Sequence, residues 1–200
     1  MENAQQLGFF PESDARLDPR RLSAHDRAAI LDSEYNKLMA ACEGTYWLTA
    51  GPETSTVWQA TYDTFIQGIW PAAILCAHAT CERTLASLMS VLYAIHPEPK
   101  GWRGWGLGRY VGHMTENSLI DAHLIDEIQI VVDARKPLVH WRGPLEVDSL
   151  QRVGVEAALR GEDGGEALDR HIAQLAFLCA RTAMRVHFGD LTRDIVKRNR

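Results

Sequence analysis

The chain carries almost no strand signal. β-Branched residues do not alternate with polar ones, and no Asn-Gly or Asp-Gly pair is flanked by such alternation, which excludes a hairpin-built sheet. Cysteine is scarce: Cys42, Cys76, Cys81 and Cys179 never form Cys-x-x-Cys, so a redox site of that type is excluded. Three of the four lie in helix-like apolar segments, where buried free thiols are common. No run approaches the roughly 18 uninterrupted apolar residues of a membrane span. Net positive charge is also lacking. A balance of −5 excludes a surface that is basic throughout, while leaving room for a local basic cleft. No P-loop, dinucleotide fingerprint or Ser–His–Asp order is present, and no cofactor is called for. No signal peptide is read, so a reduced, cytoplasmic compartment is expected.

What is present is helical periodicity. With 46% apolar and 24% charged residues in 200, the expectation is one soluble domain with its own core. An arm over 1–20 carries Phe9-Phe10-Pro11, placed to dock on the body, and a tail over 190–200 ends in Lys197-Arg198-Asn199-Arg200, a solvated helix end. Between them the spacing predicts helices over about Ser23–Cys42, Thr54–Ile69, Trp70–Ile95, Arg109–Met114, Val153–Leu159 and Glu166–Phe188. A further helix is expected to start at Ser118, with Asp121 three residues on. The fold class is all-α, a bundle of five to seven helices. The longest apolar helix aligns Ile74, His78, Cys81, Leu85, Leu88 and Leu92 on one face. His78 there reads as a core histidine, with poor spacing for zinc alongside Cys81 and Glu82.

The helix begun at Ser118 aligns Leu124, Ile128 and Val131, and the next slot on that apolar row is Arg135. A guanidinium there must be paired or must face a wet cleft. Five residues on stands His140, beyond Pro137, which is expected to kink or end the helix between them. Arg and His separated by four to six residues is a cheap pattern. Roughly two such pairs are expected by chance in this composition, and there are three. Arg20–His25 straddles a helix start, and Arg181–His187 falls on different sides of one helix. Only Arg135–His140 closes an apolar helix, with Asp133, Lys136, Trp141 and Arg142 beside it. Two structural alternatives stay open: Arg135 paired with Glu82 or Asp133, and His140 capping a helix end.

The run Arg135-Lys136-Pro137-Leu138-Val139-His140 resembles the Arg-x4–6-His hallmark of the HEPN superfamily. Ala77-His78-Ala79-Thr80-Cys81-Glu82-Arg83-Thr84-Leu85 looks like that family's long helix, and Leu107-Gly108-Arg109-Tyr110-Val111 like its short Leu-Gly segment. The likeness covers about residues 58–188. Lys136 departs from the small polar residue usual after the arginine. The resemblance implies an all-helical metal-independent endoribonuclease, often a toxin or anti-phage effector, with RNA as substrate. It further implies a homodimer whose two motifs share one cleft, and an antitoxin or nucleotidyltransferase as partner. Other members are non-catalytic modules that bind nucleotide, RNA or protein.

The chemistry fits those residue types. RNA brings its own nucleophile, the 2′-hydroxyl. An imidazole can take or give a proton near pH 7, and a guanidinium can grip a phosphate through two parallel bonds. Thus Arg135 and His140 are the candidate catalytic pair. Glu82, Asp133 and Lys136 are supporting residues, Glu82 as the salt-bridge partner that orients Arg135. Arg142 and Trp141 are candidates for RNA contact. Trp102 and Trp105 can stack bases but read first as core or interface residues.

Overall fold

Ser23 and Asp26 open the first helix, α1 (Ala24–Ala41), as a reciprocal pair. The Ser23 hydroxyl accepts the Asp26 N–H at 3.1 Å, while the Asp26 carboxylate accepts the Ser23 hydroxyl at 2.7 Å. The computed structural model describes residues 17–41, 51–94, 97–140, 142–143, 146–147, 149–189 and 191. Phe9-Phe10-Pro11, Cys42, Trp141 and the basic cluster at 197–200 lie outside the described residues, as does the tail from 190 except Leu191, which is buried.

The other helices are α2 (Pro52–Ile66), α3 (Trp70–Leu92), α4 (Leu107–Glu116), α5 (Ala122–Val139), α6 (Leu150–Leu159) and α7 (Gly164–Phe188). The described residues contain no strand, and the molecule is all-α, at the upper end of the expected helix number. Pro52 and Pro71 each sit in a first turn, where their missing N–H has no partner to lose. No described helix is long and apolar enough to cross a membrane.

One sequence expectation needs correction. Ser118 does not start α5. Its φ of 51° is left-handed, and the cap is Asp121, whose carboxylate accepts the N–H groups of His123 and Leu124. Helix α5 includes Pro137 and ends two residues later at Val139, so it stops between Arg135 and His140 as expected.

The longest helices, α3 and α7, pack on each other and form the centre. Helix α2 lies against both, α4 against α3, and α6 against α7; α5 touches α3, α4 and α7. One apolar cluster runs from Leu31 through Phe65, Leu85, Ile128 and Phe177 to Leu191. Phe65 is held between the rings of Trp70 and Phe177, at 5.7 and 5.9 Å. Helix α1 buries only Leu31; it is tied down by Arg27, which donates to the carbonyls of Leu22 and Ile66, and by Asp32, which accepts from Tyr62. The end of the arm is docked: Gln174 donates to the Leu17 carbonyl, and Arg20 pairs with Asp18 and Glu166.

Helices α6 and α7 meet backbone to backbone. A Cβ on Gly164 would stand 2.5 Å from the Gly154 carbonyl oxygen. We therefore expect Gly164→Ala to push the two helices apart at a cost of about 1–3 kcal/mol, seen as a lower urea midpoint. An unchanged midpoint would mean that this crossing is loose.

Candidate functional site

The last turn of α5 is built from Val131, Ala134 and their flanks. Both are buried, with Leu124, Glu127 and Ile128 completing the inward face. The inward row thus ends on Ala134, and Arg135 is displaced to the half-buried margin. There its stem can lie along the apolar seam while the guanidinium reaches water. His140 is the C-terminal cap of the helix. Its N–H donates to the Lys136 carbonyl, its backbone is extended (φ −124°, ψ 133°), and its side chain is exposed.

Neither expected acid pairs with Arg135. Glu82, on α3, instead accepts the Leu107 N–H at 2.9 Å and so satisfies the first turn of α4. The orienting salt bridge assigned to Glu82 is corrected accordingly: it positions α4. Asp133 accepts from Lys136 at 2.7 Å and from Gln129 at 3.1 Å, which holds both supporting residues on the flank of the same turn. Among the described residues Arg135 makes no ion pair and no side-chain hydrogen bond. Arg142 is half-buried and lies 3.7 Å from Glu146, a loose pair in the segment that follows.

What does face Arg135 is His78, the core histidine of α3. Burial, and then the Arg135 guanidinium, push the His78 imidazole down to about 4. Neutral at pH 7, it can stand beside the arginine without repulsion. His171 and His187 are also lowered by burial. For all three, the folded state holds fewer protons than the unfolded chain. Their contribution to stability is therefore full above about pH 6.5 and falls as the pH drops toward 4, for His78 by on the order of 3 kcal/mol. We expect the urea midpoint to fall between pH 7.5 and 5, less steeply in His78→Gln. A flat profile would contradict the burial of these imidazoles.

The other two Arg–His pairs resolve into separate roles. Arg20 binds Asp18, and His25 is exposed. His187 is buried and stacked on Trp58, while Arg181 lies over the Phe177 ring. Trp102 is a core residue whose Nε1 donates to Glu98, and Trp105 is half-buried beneath Arg109 at 4.6 Å. Cys81 and Cys179 are fully buried with their thiols pushed up, Cys179 to about 12. No group of three metal-binding side chains is found among the described residues.

Sequence reading missed a second polar cluster. Glu127 occupies the inward face of α5 and is 8% exposed. Its carboxylate accepts from Arg185 of α7 and lies 3.5 Å from His123 Nδ1, one turn back. The available signal was an acid three residues after Leu124, inside the apolar stripe. No known protein family, curated protein or solved structure matches the chain, so its function is argued from these residues.

Proposed function

We propose that the chain is a metal-independent endoribonuclease of HEPN type that acts as a homodimer. The observation that carries this reading is a half-buried arginine with no acid paired to it among the described residues, five residues before an exposed histidine at the same helix end. With no acid paired to it among the described residues, the guanidinium keeps its donors for a phosphodiester.

In this reading His140 of one protomer takes the proton from the 2′-hydroxyl, whose oxygen attacks the adjacent phosphorus. Arg135 binds the non-bridging oxygens and stabilises their growing charge. The bond to the 5′-oxygen breaks, and that oxygen takes its proton from His140 of the partner subunit. The products are a 2′,3′-cyclic phosphate and a 5′-hydroxyl. Two histidines are required because one cannot be base and acid in the same step. Lys136 and Arg142 add positive charge along the strand. Free, buried thiols suit a reducing cytoplasm, and a toxin or defence role with an antitoxin or nucleotidyltransferase partner would follow from the resemblance.

The test is incubation of the purified protein with single-stranded RNA in excess EDTA. Cleavage with cyclic-phosphate ends is expected, and none where a 2′-deoxy residue replaces the nucleophile. RNA or nucleotide binding without turnover under every condition would replace this reading with a non-catalytic binding module.

A further inference from the structure

We propose that the cavity between α1, α2 and α7 is a second site, separate from the end of α5, which binds the quaternary ammonium group of a small molecule. The cavity has a volume of about 200 Å³, and four half-buried aromatic side chains line it: Tyr35 of α1, Trp58 and Tyr62 of α2, and Phe188 of α7. Buried Leu31 and Met184 complete its apolar surface. The four rings do not stack on one another. Phe188 meets Trp58 at 89° and Tyr35 at 79°, with centroids 5.5 and 5.1 Å apart, and Tyr62 is tilted 54° from Trp58. Rings inclined in this way wall a corner instead of closing it, so their electron-rich faces are open to a cation. His187 stacks on one face of Trp58 at 28°, which leaves the other for the cavity.

The charge of the lining is negative. It contains Asp32 and no lysine, arginine or histidine. Asp32 accepts the Tyr62 hydroxyl at 3.0 Å, and no cation is paired with it among the described residues. A second carboxylate, Asp63, stands beside Tyr62 on α2 and is held by Gln59 at 2.9 Å. Burial, and then Asp32 and Asp63, push the Tyr62 hydroxyl up, so it stays a neutral donor that fixes Asp32 at the rim. The other described tryptophans each carry a guanidinium over the ring: Arg27 on Trp70, Arg103 on Trp102 and Arg109 on Trp105, at 4.6–5.3 Å. Trp58 has no such partner among the described residues, although an acid stands beside it. The missing cation is therefore supplied from outside. An ordinary ammonium has three donors to satisfy, which aromatic walls and one carboxylate do poorly. A quaternary ammonium has none, and its methyl groups pack on the rings while its charge is drawn to their faces and to Asp32.

The experiment is titration of the full chain with tetramethylammonium and with choline, at constant ionic strength in sodium chloride, followed by calorimetry and by the indole NMR signal of Trp58. Saturable binding that moves this signal is expected. The uncharged analogue of choline, with carbon in place of nitrogen, should bind about fivefold more weakly or worse. Asp32→Asn alters an exposed side chain and keeps an acceptor for Tyr62, and Trp58→Phe keeps an apolar ring. Each should weaken choline binding about fivefold. Failure of both cations to saturate the wild type would overturn the proposal, as would equal binding of the uncharged analogue or binding that neither substitution changes. A peptide carrying trimethyllysine that binds more tightly than choline would overturn the small-molecule assignment and give the cavity to a methylated protein tail.

Discussion

Replacing His140 with alanine should lower RNA cleavage by about 10²–10⁴-fold, the usual worth of a positioned acid or base. Thermal stability should stay close to that of the parent, because this side chain is exposed and only its backbone caps α5. In a homodimer the loss removes the base from one half of the cleft and the acid from the other. Mixed dimers with one intact His140 should therefore be nearly as impaired as the double variant, which an assay on co-purified, differently tagged protomers measures. Arg135→Ala should also abolish cleavage, while Arg135→Lys recovers only part, since a single ammonium cannot make the two parallel bonds of a guanidinium. If His140→Ala instead unfolds the protein while cleavage per folded molecule is unchanged, the histidine is a structural cap and the enzymatic reading fails.

The largest expected effect on stability comes from Arg185→Ala. It leaves the Glu127 carboxylate buried beside His123 alone, and breaking such a pair from one side costs about 3 kcal/mol. The low end of the usual range applies because Arg185 is itself 38% exposed and water can partly take its place. In a chain of this length that cost corresponds to a melting temperature lower by about 6–12 °C. The paired change Glu127→Met with Arg185→Met should recover most of the loss, since apolar replacements of similar volume leave no orphaned charge. A double-mutant cycle by urea unfolding gives the coupling directly. If the two single changes simply add, the pair contributes nothing beyond packing.

Much of the helical frame is legible in the sequence because its signals are local. Ser23 with Asp26, Pro52, Pro71 and Asp163 all act within one turn of themselves, and each marks a helix start to within a few residues. Ser118 misleads for the same reason: it has the right residue type, but its left-handed backbone comes from the turn preceding Asp121, which no short pattern encodes. The candidate site is legible in its members and not in its wiring. Spacing places Arg135 on the row of Leu124, Ile128 and Val131, yet the row drifts to Ala134 and the arginine goes to the margin. Glu82 was expected to hold Arg135 but serves α4, because the Leu107 N–H is an unsatisfied donor that a neighbouring helix must meet. The cluster of Glu127 with Arg185 joins two helices across 58 residues, so nothing local announces it.

Helix α1 rests on the body through Leu31, Ile30 and the ring of Tyr35 against Phe188, and is otherwise fastened by a few side-chain bonds. With one fully buried residue along its length, it should open locally at a lower free energy than the α3–α7 centre. Such opening would uncover the core beside Leu31 while leaving the end of α5, which α3, α4 and α7 hold, in place.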